Sequence, residues 1–143
     1  MNLTEARKIL KDNGFRLLKE DLAIDDTFAN NMVSDIQDYL YKNYMEGVVE
    51  PVDLPTNTKP LFSIRVEITE PKVSRPQYII GFYRENDMYR IFKARDLESP
   101  KFAARVSDIP IEKSEDYVLN YVYDKMVALI KRYIDSVKPG FAY

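Results

Sequence analysis

The tightest constraint on this chain comes from its last third. Apolar spacing predicts a helix over residues 114–138, and that helix carries two apolar stripes. The first is Leu119, Val122, Met126, Leu129 and Tyr133. The second is Tyr123, Val127, Ile130, Ile134 and Val137. Neighbouring residues lie about 100° apart around a helix, so the two stripes wrap more than half of its circumference. Asn120, Asp124, Lys131, Asp135 and Lys138 keep a narrow polar face. At about 1.5 Å per residue the helix is a rod of roughly 37 Å. Ser114 is its N-cap, Glu115 and Asp116 suit its first turn, and Pro139-Gly140 stops it. A helix on a single sheet needs one stripe. The second stripe is therefore either shared with other helices of the same chain or covered by another chain.

The sheet beneath it is legible in the middle of the sequence. Phe62, Ile64, Val66 and Ile68 alternate with Ser63, Arg65, Glu67 and Thr69, as in a strand with one wet face. Tyr78 to Tyr83 is apolar on both sides, which suits a central strand, and Gly81 marks a bulge or a close backbone approach. Asn86-Asp87 is a tight-turn candidate, and Met88 to Ala94 is the returning strand. A fourth strand is placed around residues 102–106.

Two helices are expected before the sheet. One covers residues 4–13, capped by Thr4 and closed by Gly14, after which Phe15-Arg16-Leu17 alternates as a short strand. The other covers residues 26–45. Phe28, Met32, Val33, Ile36, Tyr39, Leu40 and Tyr44 form its stripe, and Gly47 marks its end. Residues 48–60 contain Pro51, Pro55 and Pro60 and read as a linker or crossing segment. The 47 residues before it are too few for an independent core, so residues 1–143 form one domain. The fold class is α+β: two N-terminal helices, an antiparallel sheet of three to four strands, and a long C-terminal helix across it.

The sequence excludes a good deal of chemistry. It has no cysteine and no histidine, which removes disulfides, thiol nucleophiles, imidazole or thiolate metal sites and histidine-based triads. Its four glycines stand at 14, 47, 81 and 140, too dispersed for a phosphate loop. Asp53 followed by Glu70-Pro71-Lys72 echoes the metal-nuclease pattern of two carboxylates and a lysine, but Pro71 falls where that pattern needs a strand. No catalytic, metal-binding or cofactor-binding residue is assigned, and a non-enzymatic protein is expected. No apolar run reaches the roughly 20 residues of a membrane span, and the polar start lacks a signal peptide's apolar stretch. A cytoplasmic location is expected, with no membrane partner.

Charge is unevenly spread. Residues 1–58 carry net −5, residues 59–105 net +4, and residues 106–143 net −1. The basic middle centres on the hairpin of residues 77–95. A two-residue turn there sets Arg84 opposite Tyr89 and Tyr83 opposite Arg90. Arg75, Tyr83, Arg84, Tyr89, Arg90, Lys93 and Arg95 are the candidate nucleic-acid-binding residues, because basic and aromatic side chains on a sheet stack bases and hold phosphates. The bland alternative is that one sheet face is core and the arginines snorkel at its edges.

The opening run, Leu3-Thr4-Glu5-Ala6-Arg7-Lys8-Ile9-Leu10-Lys11-Asp12-Asn13-Gly14-Phe15-Arg16-Leu17, resembles the helix–glycine–strand start of short uncharacterised proteins of bacteriophages and mobile elements. The resemblance covers about 15 residues. It implies a phage or bacterial origin and a role in binding host proteins or in the virion, and it transfers no site residue. The leading expectation is a protein-binding or self-assembling small protein, with a protein partner or a homo-oligomer meeting Tyr123, Val127, Ile130, Ile134 and Val137. The alternative is a nucleic-acid-binding module using the hairpin.

Overall fold

The computed structural model describes residues 24–54, 60–85, 88–94, 104–110 and 114–139. The expected helix over residues 4–13, the short strand after it, and Arg95 lie outside the described residues.

Helix α1 spans Asp26–Lys42, and the Asp25 carboxylate accepts from the Phe28 N–H at 3.0 Å as its N-cap. Met32, Ile36 and Leu40 are its buried stripe. The helix ends before residue 45. Tyr44 N–H donates to Tyr41 O at 3.0 Å and Met45 N–H donates to Leu40 O at 2.9 Å, the bond pattern of a Schellman cap. Buried Met45 is drawn back over Leu40. Gly47 thus does not end the helix. It lies in the next strand, where a Cβ would meet the Glu67 carbonyl oxygen at 2.5 Å.

That strand, β1 (Glu46–Pro51), corrects the linker reading of residues 48–60. It pairs antiparallel with β2 (Phe62–Glu70), which pairs with β3 (Gln77–Glu85), then β4 (Met88–Ala94), then β5 (Ala104–Pro110). The sheet is an antiparallel meander of five strands, one more than the upper expectation. β1 is an edge strand, the place in a sheet where a residue such as Pro51, with no N–H, is tolerated.

Helix α2 spans Glu115–Val137, and Ser114 Oγ accepts from the Tyr117 N–H at 3.2 Å. It packs on the sheet and along α1. One core joins Val49 of β1, Ile64 and Val66 of β2, Ile80 and Phe82 of β3, and Ile91 of β4 to the stripes of both helices. Each such side chain contributes about 1.5–3 kcal/mol when fully buried. A smaller cluster occupies the other side of the sheet: Leu54, Ile79, Tyr83, Phe92 and Ala94. The central strand β3 is therefore apolar on both faces, as its sequence requires. A Cβ on Gly81 would lie 2.5 Å from the Phe62 carbonyl oxygen and 2.9 Å from the Phe92 ring, so this glycine marks a close approach. No helix among the described residues is long and apolar enough to cross a membrane.

The second stripe of α2 is covered inside the single chain. Ile130 and Ile134 are 0% exposed, Val127 and Val137 are buried, and Tyr123 is half-buried. The expected interface of Tyr123, Val127, Ile130, Ile134 and Val137 is therefore not a free surface. The sheet and α1 together supply what one sheet face alone would not.

Candidate functional site

The hairpin register is as expected. Tyr83 faces Arg90 and Arg84 faces Tyr89 across β3 and β4. Alternation nevertheless defeats the stacking platform. Arg84 and Tyr89 point to the helix side of the sheet, while Tyr83 and Arg90 point to the other. Tyr83 is 7% exposed and packs edge-on against Phe92, with centroids 5.6 Å apart. Tyr89 is 2% exposed within the helix-side core. Burial raises the Tyr89 hydroxyl pKa, Arg84 lowers it and Glu115 raises it. Neither ring has a face open to a base. Of the remaining candidates, Arg75 and Lys93 are gathered elsewhere, beside Arg132 of α2.

The carboxylate–lysine pattern is also pulled apart. Val52 N–H donates to Ser63 O at 3.0 Å, which puts Asp53 near the start of β2, whereas Glu70 ends that strand beside Glu46. Seven residues of strand separate Ser63 from Glu70, about 23 Å at 3.3 Å each. Among the described residues no group of three or more acidic side chains is placed to hold a metal ion.

The tyrosines divide into engaged and unengaged sets. Along the seam between the helices, Tyr39 OH donates to Asp135 at 2.6 Å and Tyr123 OH donates to Asp35. The bond to Asp135 is the main cause raising the Tyr39 pKa, and burial followed by the Asp35 contact raises that of Tyr123. Phe28 meets Tyr123 edge to face at 5.4 Å, and the Lys131 ammonium sits 5.2 Å from the Tyr39 ring centroid. Tyr117 and Tyr121, at the start of α2, stack on each other with centroids 6.3 Å apart.

Tyr41 and Tyr44 behave otherwise. They stand at the end of α1, 82% and 89% exposed. Neither hydroxyl bonds to a described residue, and neither ring stacks on one. Tyr44 has φ +58°, the left-handed region where a Cβ is penalised and glycine is favoured. Placing Tyr44 in the apolar stripe of α1 is thus corrected: the helix stops short of it and the chain turns its ring outward. Val48, a little further along the edge strand, is exposed as well. Exposed acids surround this end of the molecule: Asp38 one turn earlier on α1, and Glu46 opposite Glu70 where β1 meets β2. Lys42 and Lys138, whose ammonium donates to Asn43 Oδ1 at 3.2 Å, are basic residues among them. Over residues 26–50 there are five acids to one base.

Comparison with protein-family models, curated proteins and solved structures finds no match.

Proposed function

We propose that the protein is a non-enzymatic protein-binding module, and that Tyr41 and Tyr44 are its contact residues for a partner segment carrying apolar and basic side chains. The observation that carries this reading is Tyr44. It occupies the left-handed position of a helix cap, where a non-glycine residue costs about 1 kcal/mol. Its ring recovers nothing within the described chain, being 89% exposed. Folding does not account for a tyrosine there. A contact outside the chain does, since tyrosine offers a large rigid ring with a hydroxyl that tolerates water. Asp38, Glu46 and Glu70 outnumber Lys42 and Lys138 around the pair, which favours a basic partner through charge complementarity. It also disfavours a second copy, which would bring like charges together.

The test is a peptide array of Lys/Arg-rich amphipathic sequences probed with the intact protein. Peptides that bind wild type and lose about tenfold in affinity with Tyr44→Gly and with Tyr41→Ala support the reading. Binding that neither substitution changes sinks it. Native mass run alongside reports any self-association, and a dimer that dissociates in Tyr44→Gly would assign the patch to a second copy instead.

A further inference from the structure

A second feature lies on the helix side of the sheet and has the opposite chemical character to the tyrosine pair's acidic rim: a cavity of about 230 Å³ where the β2–β3 connection, β3, β4 and α2 converge. Its lining is Arg75, Tyr78, Lys93, Arg132, Tyr133 and Ser136, with Leu129 beside them. Three cations face one space, and no lining residue is acidic. None of the three cations pairs with a described carboxylate. Asp135, beside Ser136 in the chain, is engaged away from the cavity by Tyr39 and by Lys138 at 3.5 Å.

The walls are ordered by their own contacts. The rings of Tyr78 and Tyr133 stack with centroids 4.6 Å apart and planes 13° from parallel. Tyr133 OH donates to the Arg75 carbonyl oxygen, which ties the β2–β3 connection to α2. Arg75 Nη2 donates to Ser136 Oγ at 3.1 Å, so this guanidinium is already oriented. Lys93 Nζ lies 6.0 Å from the Tyr78 centroid, at the outer limit of a cation–π contact. Like charges gathered without counter-charge repel one another. A bound anion removes that repulsion, and two guanidinium forks with an ammonium match the several oxygens of a phosphate better than the two of a carboxylate.

We infer that this cavity binds a terminal phosphate group, with Arg75, Lys93 and Arg132 as its charged ligands and Ser136, whose hydroxyl donates to the Tyr133 carbonyl oxygen at 2.6 Å, as the residue that positions Arg75. Three cations converging on one open pocket suit one phosphate at the end of a molecule. A nucleic-acid backbone needs a continuous basic track, which the hairpin's division between two sheet faces does not supply. The inference uses none of the residues of the proposed protein contact, so either one stands if the other fails.

The intact protein is titrated with inorganic phosphate while its NMR signals are followed. The same is done with an oligonucleotide carrying a 5′-phosphate and with its 5′-hydroxyl counterpart. Saturable shifts at Arg75, Lys93 and Tyr133 with inorganic phosphate are expected, weakened about tenfold by Arg132→Ala. Arg132 is exposed, so the variant retains the fold, and Lys93→Gln provides an independent check. Tighter binding of the 5′-phosphorylated strand than of inorganic phosphate identifies a nucleic-acid end as the source, and equal binding identifies a free phosphate compound. No saturable shift, shifts indifferent to Arg132→Ala, or equal binding of the phosphorylated and hydroxyl strands would overturn the assignment.

Discussion

The helix seam and the end of α1 use the same residue type in opposite ways. At the seam Tyr39 and Tyr123, and on the sheet side of α2 Tyr133, each bury ring area and place a hydroxyl on an acceptor of the chain: Asp135, Asp35 and the Arg75 carbonyl. At the end of α1, Tyr41 and Tyr44 bury little and bond to nothing described. A tyrosine's polar tip makes it suitable for either setting. What separates them is whether the chain supplies an acceptor and a surface to pack on. Where it does, the residue belongs to the fold. Where it does not, and the backbone is also held in an unfavourable conformation, the residue belongs to something outside.

The sharpest way to break this contrast is at the seam's core. Ile130→Glu places a carboxylate where exposure is 0%, and it is expected to remove about 4 kcal/mol or more of stability. Urea denaturation measures it. A variant that stays fully stable would show that the second stripe of α2 is not core and would restore it as an interface. A smaller effect comes with alkali. Burial pushes Tyr78 and Tyr133 up to about 12, with mutual repulsion adding to Tyr78 and Arg75 partly offsetting the rise at Tyr133. The unfolded chain loses these protons near the ordinary value of 10.0. It therefore binds fewer protons than the native state above that pH, and stability falls as pH rises. This contribution is intact below pH 10 and is lost between about 10 and 12. Tyrosinate absorbance and unfolding followed together check it, and full ionisation near pH 10 in the native protein would refute it.

The smallest effect has the opposite sign. Tyr44→Gly relieves the left-handed conformation and removes an exposed ring, so it is expected to raise stability by about 0.5–1 kcal/mol. Thermal unfolding reports this as a modest upward shift in Tm. A loss of stability would mean that the ring has a packing role inside the chain, and the contrast between the two tyrosine sets would collapse.

Parts of this arrangement are written locally. Ser114, Glu115 and Asp116 announce the start of α2, and the helix begins there. Reading Asn86-Asp87 in the sequence as a two-residue turn gives the pairing of Arg84 with Tyr89 by arithmetic along the strands, and β3 and β4 pair in that register. β1 was harder to read. Its apolar signal is only Val48-Val49, Pro51 marks it as a breaker, and its stability comes from pairing with β2, whose partner residues lie up to 24 positions away. The outward turn of Tyr44 is hidden for a similar reason: no glycine announces the cap, and burial of Met45 ends the helix. The cation cavity has no motif at all, since Arg75, Lys93 and Arg132 come from three separate elements.

From the sequence alone, then, come the segments that must be helix or strand, the double apolar girth of α2, and the absence of thiol and imidazole chemistry. The tertiary structure decided what covers that girth, which tyrosines remain outside, and which cations meet. Burial is favourable whatever apolar surface provides it, so periodicity states how much surface a helix must hide without naming the element that hides it.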